Sequence, residues 1–460
     1  MQSVDHRGMT AVIRLLIAAI VAMQFTSAIH AAEAVKPNIV IILSDDQGRG
    51  DYSAFGTKDI RTPGIDRLYA EGMGFDNFFA NCPVCSPTRA ALMSGCYPDR
   101  VGVPGVIRDI KTNSWGYLAQ HATLLPKVLK TAGYHSAIVG KWHLGLEPEN
   151  LPLARGFDHF HGFLDDMMDD YYTHLRNGHN FMRRDLKEID PEGHATDLFT
   201  QWACDYIRER AQAGGPFLLY LAYNAPHDPV QPKSDWLAKV KTREPNMPSN
   251  RQKLVALIEH MDDGIGQVLR TLDETKLAAN TMVCFSSDNG GILANGANNG
   301  PYRGGKQMTY DGGLRVPFAI RWPARIKPGT TSARRALTMD IYATACEVSG
   351  VTPPKDIDGV SFLPTLLGQE QPDTDRAEYF VRREGGPQYG GKTIEALRMG
   401  DWKLVLNSPF APAELFNVKA DPAETTDLAS REKKKFLELS AELRRHIQRG
   451  GQVPWQKSEQ

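Results

Sequence analysis

Four stretches of the chain are continuously apolar and then turn abruptly polar. Asn38-Ile39-Val40-Ile41-Ile42-Leu43 runs into Ser44-Asp45-Asp46, and His135-Ser136-Ala137-Ile138-Val139-Gly140 into Lys141-Trp142-His143. Phe217 to Tyr223 runs into Asn224-Ala225-Pro226-His227, and Thr281 to Ser287 into Asp288-Asn289-Gly290. Alternation would mark strands with one wet face; unbroken hydrophobicity marks strands covered on both faces, as in a parallel sheet. Helical patterns lie between them. One, Leu124 to Thr131, is entered through Thr123 and stopped by Gly133; another, capped by Thr196, runs to about Arg210. The longest, Arg251 to Leu272, repeats apolar residues from Leu254 through Met261 to Leu272 at three- and four-residue steps. Strands alternating with helices predict right-handed crossovers and an open α/β sheet. In such sheets ligands bind beyond the carboxyl ends of the strands, so the four polar clusters are expected to converge there.

After about residue 350 the texture changes. Pro353-Pro354 and the loop Asp356 to Gly359 read as a connection. Short strands are predicted at Glu378–Val381, Ile394–Met399 and Trp402–Leu406, and a charged helix with a solvated face at Arg431–Arg449. These give a smaller α+β domain, 353–460, beside a main α/β domain, 35–352. At the other end, Arg7 and Arg14 precede the apolar run Leu15 to Met23, and Ala28-Ile29-His30-Ala31-Ala32 follows. A basic start, a short apolar middle and a small-residue end describe a signal peptide, 1–34, cut between Ala31 and Ala34. The run falls well below the ~20 residues that span a bilayer, so an exported protein without stable membrane insertion is expected.

Composition narrows the function classes. Lys and Arg total 53 and Asp and Glu total 54, for a formal charge of −1, where a general nucleic-acid binder would be strongly basic. With 41 Gly and 29 Pro among 460 residues, collagen-like and low-complexity disordered readings fall away. Six cysteines are too few for a disulfide scaffold. Cys82-Pro83-Val84-Cys85 has redox or zinc spacing, but no second Cys or His pair lies nearby to complete a tetrahedral zinc site. Cys204 in a helix and Cys284 in a strand are read as buried thiols.

Asp45, Asp46, Asp288 and Asn289 bring four oxygen-bearing side chains to the ends of two strands. Hard oxygen donors select calcium or magnesium, although Asp-Asp and Asp-Asn-Gly are also ordinary turn residues. The segment Cys85-Ser86-Pro87-Thr88-Arg89 starts a short helix, with Pro87 in its first turn. The helix amino terminus favours anions, which lowers a thiol pKa and cradles a tetrahedral oxyanion. Arg89, one turn on, can fix the group at position 85. On the residues alone, Cys85 could be a free nucleophile, a buried thiol or half a disulfide. Lys141 and His143 could be catalytic or surface residues, and His227 catalytic or a turn cap. Lys306, in a glycine-rich loop, could be solvated or close to a ligand.

Cys85-x-Pro87-x-Arg89 resembles the signature of the type I sulfatases of the alkaline phosphatase superfamily, in which the cysteine is oxidised to formylglycine (3-oxoalanine). The resemblance extends from Pro37 to the carboxyl terminus. It includes Gly140-Lys141-Trp142-His143-Leu144-Gly145, Ala225-Pro226-His227, Ser287-Asp288-Asn289-Gly290, Arg303-Gly304-Gly305-Lys306, Gly312-Gly313-Leu314-Arg315-Val316-Pro317 and Glu414-Leu415-Phe416-Asn417. It implies a helix-sandwiched, mostly parallel sheet with a smaller C-terminal sheet domain. The implied activity is arylsulfatase- or N-acetylgalactosamine-6-sulfatase-like hydrolysis of sulfate esters, on sulfated carbohydrates or aryl sulfates.

By position, the resemblance implies Asp45, Asp46, Asp288, Asn289 and modified Cys85 as ligands of one divalent cation, Ca2+ or Mg2+. Cys85, Arg89, Lys141, His143, His227 and Lys306 match catalytic residues, and a formylglycine-generating enzyme is the implied maturation partner. In the implied mechanism a hydrated aldehyde at position 85 attacks sulfur and Lys141 bridges sulfate and nucleophile. His227 with Lys306 assists the departing alcohol, and His143 takes the proton that expels sulfate. Cys96 departs from the family, whose members commonly carry Arg there. With Cys85 consumed, five thiols remain, so at least one stays unpaired. A phosphodiesterase or phosphonate hydrolase of the same superfamily is the enzymatic alternative, and a non-catalytic glycan-binding relative the other. Specificity is expected in the loops Asp165 to Asn180 and Leu293 to Tyr302. Arg303 and Arg315 are expected to touch substrate anions, Arg315 equally to be a structural ion-pair partner.

Overall fold

The computed structural model describes residues 36–110, 113–372, 376–385, 389 and 391–455; the expected signal peptide lies outside them. Twelve strands precede the C-terminal sheet: β1 (Asn38–Ser44), β2 (Met73–Phe79), β3 (His135–Lys141), β4 (His159–Phe163), β5 (Leu175–Arg176), β6 (His179–Asn180), β7 (Met182–Arg184), β8 (Lys187–Glu188), β9 (Phe217–Ala222), β10 (Thr281–Ser287), β11 (Phe318–Arg321) and β12 (Thr330–Leu337). Ten of them form one sheet in the order β12-β2-β11-β10-β1-β9-β3-β4-β7-β8, and β5 and β6 pair separately. The central five, β10-β1-β9-β3-β4, are parallel. Antiparallel β11 and β7 flank them.

The four apolar runs are the four innermost strands of the ten-stranded sheet, β10-β1-β9-β3, and the reason is visible in β1. Ile39, Ile41 and Leu43 enter one apolar cluster while Val40 and Ile42 enter the other, so both faces of the strand are dry. The helices α1 (Pro63–Glu71), α2 (Cys85–Ser94), α3 (Leu125–Lys130), α4 (Ala195–Ala213), α5 (Ser234–Arg243), α6 (Ser249–Glu274) and α7 (Asp340–Val348) supply the cover. On the Val40 face, Phe199 and Ile207 of α4 meet Leu257, Met261 and Ile265 of α6. On the Ile41 face lie Leu92 of α2, Leu129 of α3 and Ile341 of α7. The flanking strands β2, β11 and β12 were not legible as sheet members from hydrophobicity. One expected cap is also corrected. Thr196 lies inside α4, and His194 caps it, its Nδ1 accepting the Thr196 N–H at 3.2 Å.

The second sheet is an antiparallel meander of β13 (Glu378–Arg383), β14 (Thr393–Met399), β15 (Trp402–Leu406) and β16 (Glu414–Asn417). The last helix, α8 (Lys433–Gly450), lies against β14 and β15 and buries Leu439 and Leu443 there. Lys433, Lys434, Arg444 and Arg445 face outward, so the solvated face is one side only of an amphipathic helix. Among the described residues no helix is long and apolar enough to cross a membrane.

Candidate active site

Strand register brings the polar clusters together. Ser44 of β1 pairs with Ser287 of β10, Leu43 with Ala222 of β9, and Gly140 of β3 with Ala222. The residues that follow therefore emerge at one edge, where the Asp288 N–H donates to Ser44 O at 3.1 Å and the Asp45 N–H to Ala225 O at 3.0 Å. Asp46 turns back in the left-handed region (φ +70°), which aims its N–H at Asp288 Oδ1, 3.1 Å away. Gly140, at φ +103°, lets β3 lie so close to β9 that a Cβ there would collide with Ala222 O. Lys141 and His143 leave the sheet directly above that contact.

The helix carrying Cys85 starts at that residue, as the sequence predicts, entered through an extended Val84. Thr88 ties the approach down, its Oγ1 donating to Cys82 O at 2.9 Å. All six cysteines are unpaired, so Cys85 is not half of a disulfide. The expectation of a lowered thiol pKa is overturned. Burial and, next, the Asp45 carboxylate push the Cys85 thiol well up, outweighing Lys141 and Lys306. An unmodified Cys85 is therefore a protonated thiol, a poor nucleophile.

Three cations answer three carboxylates in this pocket. Lys141 Nζ donates to Asp45 Oδ2 at 2.6 Å, and Lys306 Nζ to Asp46 Oδ2 at 2.7 Å. Arg89 grips Asp288 Oδ2 through Nε (3.1 Å) and Nη2 (2.8 Å), and its Nη1 reaches Lys141 O at 3.4 Å. Arg89 thus fixes Asp288 rather than the group at position 85; a fully buried guanidinium needs a carboxylate beside it. Burial alone would raise Asp45, but Lys141, His227, Arg89 and Lys306 together hold it well below the carboxylate range. Asp288 is pushed up to about 7 by burial and by Asp45, Arg89 only partly offsetting them.

Hydrogen bonds also set both imidazole tautomers. His143 Nε2 sits 2.8 Å from Ile107 O, an acceptor only, so Nε2 carries the proton and Nδ1, buried and without a partner, presents a lone pair. Burial, then Lys141 and Arg89, keep His143 neutral far below its ordinary pKa. His227 Nδ1 donates to Asp228 O at 2.9 Å, leaving Nε2 to accept from Lys306 Nζ at 2.9 Å. Burial and Lys306 lower the His227 pKa.

The donor set suits a hard cation. Asp45, Asp46, Cys85 and His227 each offer one ligand atom within 4.8 Å of the others. Asp45 Oδ1, Asn289 Oδ1 and Gln47 Oε1 are buried acceptors without a protein partner. Asn289 Nδ2 donates to Asp46 Oδ1 at 2.7 Å, which leaves its oxygen free. Buried oxygens of this kind are costly unless something electropositive meets them. Asp288, by contrast, spends its oxygens on Arg89 and the Asp46 N–H. Gln47 was missed in the sequence, although it continues the Asp45-Asp46 turn.

The 303–315 loop that carries Lys306 is held by the C-terminal sheet. Lys403 Nζ of β15 donates to Asp311 Oδ1 at 2.6 Å and lies 2.8 Å from Glu424 Oε1. Glu424 Oε2 accepts the Asp311 N–H at 2.6 Å. Arg303 Nη1 donates to Glu424 O at 2.8 Å. Arg315 pairs with Asp311 Oδ2 at 3.1 Å and reaches Asn77 Oδ1 at 2.7 Å, so it is a buried structural ion-pair partner. Lys403 and Glu424 were not legible in the sequence. A second concavity, about 880 Å3 between α1, α5 and α6, includes the ion pair Arg243–Glu259 (2.5 Å) in its lining.

Residues 37–351 match the family described as Sulfatase, and 303–452 the family described as N-sulphoglucosamine sulphohydrolase, C-terminal. The chain belongs to the sulfatase family. This sulfatase is 34% identical over 390 residues to N-acetylgalactosamine-6-sulfatase of Canis lupus familiaris, covering 80% of this chain and 71% of that one. It is 30% identical over 427 residues to steryl-sulfatase of Homo sapiens, covering 74% and 71%. Among solved structures, Ps i-CgsB in complex with k-i-k-neocarrahexaose superposes with a TM-score of 0.84 at 30% identity, covering 92% of this chain and 95% of that one. Phosphonate monoester hydrolase of Agrobacterium radiobacter, at a TM-score of 0.61 and 19% identity over 91% and 96%, shares the fold. The chain is thus a sulfatase enzyme with the mostly parallel sheet and C-terminal antiparallel sheet that the sequence led one to expect.

Proposed function

We propose that this sulfatase removes sulfate esters from carbohydrates through a formylglycine formed from Cys85, with one divalent cation, calcium in preference to magnesium. The carrying observation is that Cys85 shares one buried pocket with the free oxygens of Asp45 and Asn289, two lysines and two oriented histidines. A preference for galactose-type sulfated sugars is supported by the relatives named for N-acetylgalactosamine-6-sulfate and by the neocarrahexaose complex. Asp45, Asp46, Asn289 and position 85 would hold the cation, with Asp288, already engaged by Arg89 and the Asp46 N–H, completing an oxygen-rich donor set of the kind calcium takes. When present, the hydrated aldehyde supplies an oxygen nucleophile and the cation supplies positive charge for the sulfate oxygens.

The chain's own side chains do the rest. Lys141, anchored on Asp45, puts an ammonium beside position 85 and neutralises an incoming sulfate. His143 offers the Nδ1 lone pair as a base, since its other nitrogen is committed to Ile107 O. The proton for the departing alcohol oxygen comes from the Lys306–His227 pair, where an ammonium already donates to Nε2. Arg89 positions Asp288 and, through it, the Asp46 turn.

We further assign residues 1–34 as an export signal, 35–352 as the catalytic region and 353–460 as a supporting region, with a formylglycine-generating enzyme acting on Cys85 before use. Replacing Cys85→Ala is expected to abolish hydrolysis of N-acetylgalactosamine-6-sulfate and 4-nitrophenyl sulfate while leaving the fold intact. An aldehyde-reactive probe should label the parent only. Activity retained near the parent level would refute the nucleophile, and faster turnover of an aryl phosphodiester than of the aryl sulfate would favour the phosphonate-hydrolase alternative.

A further inference from the structure

The wall beside His143 carries one carboxyl group that the chemistry above does not use. The His143 N–H donates to Leu164 O at 3.0 Å, which places Asp165, the next residue, at the carboxyl end of β4 alongside the catalytic loop. Asp165 is 2% exposed, and its Oδ2 is buried without a hydrogen-bond partner. Its acidic neighbours are all answered. Arg176 donates to Asp166 Oδ1 through Nε at 2.8 Å and to Asp169 Oδ1 through Nη1 at 2.9 Å. Asn177 Nδ2 donates to Asp109 Oδ1 at 3.1 Å and Oδ2 at 2.9 Å. Asp109 lies two residues beyond Ile107, whose carbonyl orients His143. The segments 107–109, 164–166 and 176–177 thus form one wall next to His143, and Asp165 holds its one unanswered buried oxygen.

We propose that Asp165 is a specificity-determining residue, whose free oxygen hydrogen-bonds a hydroxyl of the sugar that carries the sulfate ester. This rests on the sulfatase reading and names what the pocket recognises beyond sulfate. A sugar hydroxyl fits better than a second anion, because the carboxylates of Asp166 and Asp109 lie near enough to act on the position. A second metal fits less well, because Arg176 and Asn177 already satisfy those carboxylates. Burial and, next, Asp166 push the Asp165 carboxyl up to about 8. Near neutral pH it is then an uncharged acid that can donate or accept without repelling a sulfated ligand. A site built to bond a hydroxyl discriminates strongly against compounds that lack one, since its own polar atom is left unpaired.

The test compares the parent, Asp165→Ala and Asp165→Asn on two sugars, N-acetylgalactosamine-6-sulfate and a neocarrahexaose, and on 4-nitrophenyl sulfate, which has no hydroxyl. Asp165→Ala is expected to lower kcat/KM about tenfold to a hundredfold on the sugar that the parent cleaves, chiefly through KM. The aryl sulfate should change less than twofold, and Asp165→Asn should retain part of the sugar activity. Equal losses on sugar and aryl sulfate, or no loss on either, would overturn the assignment. A parent that turns over 4-nitrophenyl sulfate but neither cleaves nor is inhibited by either sugar would also overturn it, leaving the sulfatase reading intact. A parent inactive on all three defeats both. If Asp165→Ala does not fold, Asp165→Asn carries the comparison, its thermal midpoint confirming an intact protein.

Discussion

Replacing Lys403 by methionine tests how the C-terminal sheet supports the catalytic loop. Lys403 is fully buried and is the shared cation of Asp311 and Glu424. Methionine conserves the apolar stem and removes the ammonium, stranding two buried carboxylates with Arg315 as the remaining close cation on Asp311. Breaking a buried pair in this way costs about 3–5 kcal/mol. For a chain of this length the unfolding entropy is about 1 kcal/mol per kelvin, so the thermal midpoint should fall by roughly 3–5 °C. Asp311 is buried, which would raise its pKa, but Lys403, Arg315 and Arg398 hold it well below the usual carboxylate range. A depressed carboxylate contributes stability that is full above its unfolded pKa and is lost as pH falls through its folded pKa, so the gap between parent and Lys403→Met should be widest near pH 7 and narrow only as pH falls below about 4. Activity should fall as well, because Asp311 anchors the turn that presents Lys306; a displacement near 1 Å would lower kcat/KM about a hundredfold. The assays are calorimetry across pH and turnover of 4-nitrophenyl sulfate. A midpoint within 1 °C of the parent at pH 7, with kcat/KM within twofold, would refute the reasoning.

Chelation by EGTA should abolish activity and lower the thermal midpoint, with calcium restoring both; a ligand at a hundred times its Kd adds about 2.7 kcal/mol. A fully active protein after chelation would remove the cation from the site. Gly140→Ala should cost about 2–4 kcal/mol and displace Lys141, because its Cβ would collide with Ala222 O at a positive φ. Normal stability and turnover in that variant would contradict the close β3–β9 approach. Asp262 accepts the Gly64 and Ile65 N–H groups at 2.8 and 2.7 Å, and burial pushes it up to about 7. Its folded form holds a proton that the unfolded chain releases above about pH 4, so its contribution is present in acid and diminishes as pH rises through 7. Asp262→Asn should therefore lose less stability than the parent between pH 5.5 and 8.5, measured by thermal melts; equal slopes would exclude this role.

What the sequence disclosed follows from where the chain is buried. The runs ending at Ser44, Gly140, Tyr223 and Ser287 were legible because each strand is dry on both faces, and β-sheet register then carried their polar ends to one edge. The helix start at Cys85 was legible from Pro87. The parts that stayed hidden depend on long-range partners or on backbone atoms. Arg89 turned to Asp288, 199 residues away, and Lys403 to Asp311, 92 residues away. No local pattern announces either. Ile107 orients His143 through a carbonyl, which no side-chain motif can signal. The His194 cap was missed because imidazole is an uncommon cap. The Cys85 thiol ran opposite to the helix-terminus argument because desolvation and a neighbouring carboxylate outweigh a partial charge of half a unit.

The state of the cysteines bears on how this enzyme tolerates its surroundings. Apart from Cys96, which is partly open, every thiol is buried, and burial lifts Cys284 and Cys346 to about 12. With no crosslink to sever, a reductant has nothing to attack, and burial keeps every thiol but Cys96 from an oxidant. The folded protein should endure reducing media unchanged, and in oxidising media Cys96 is the one thiol within reach.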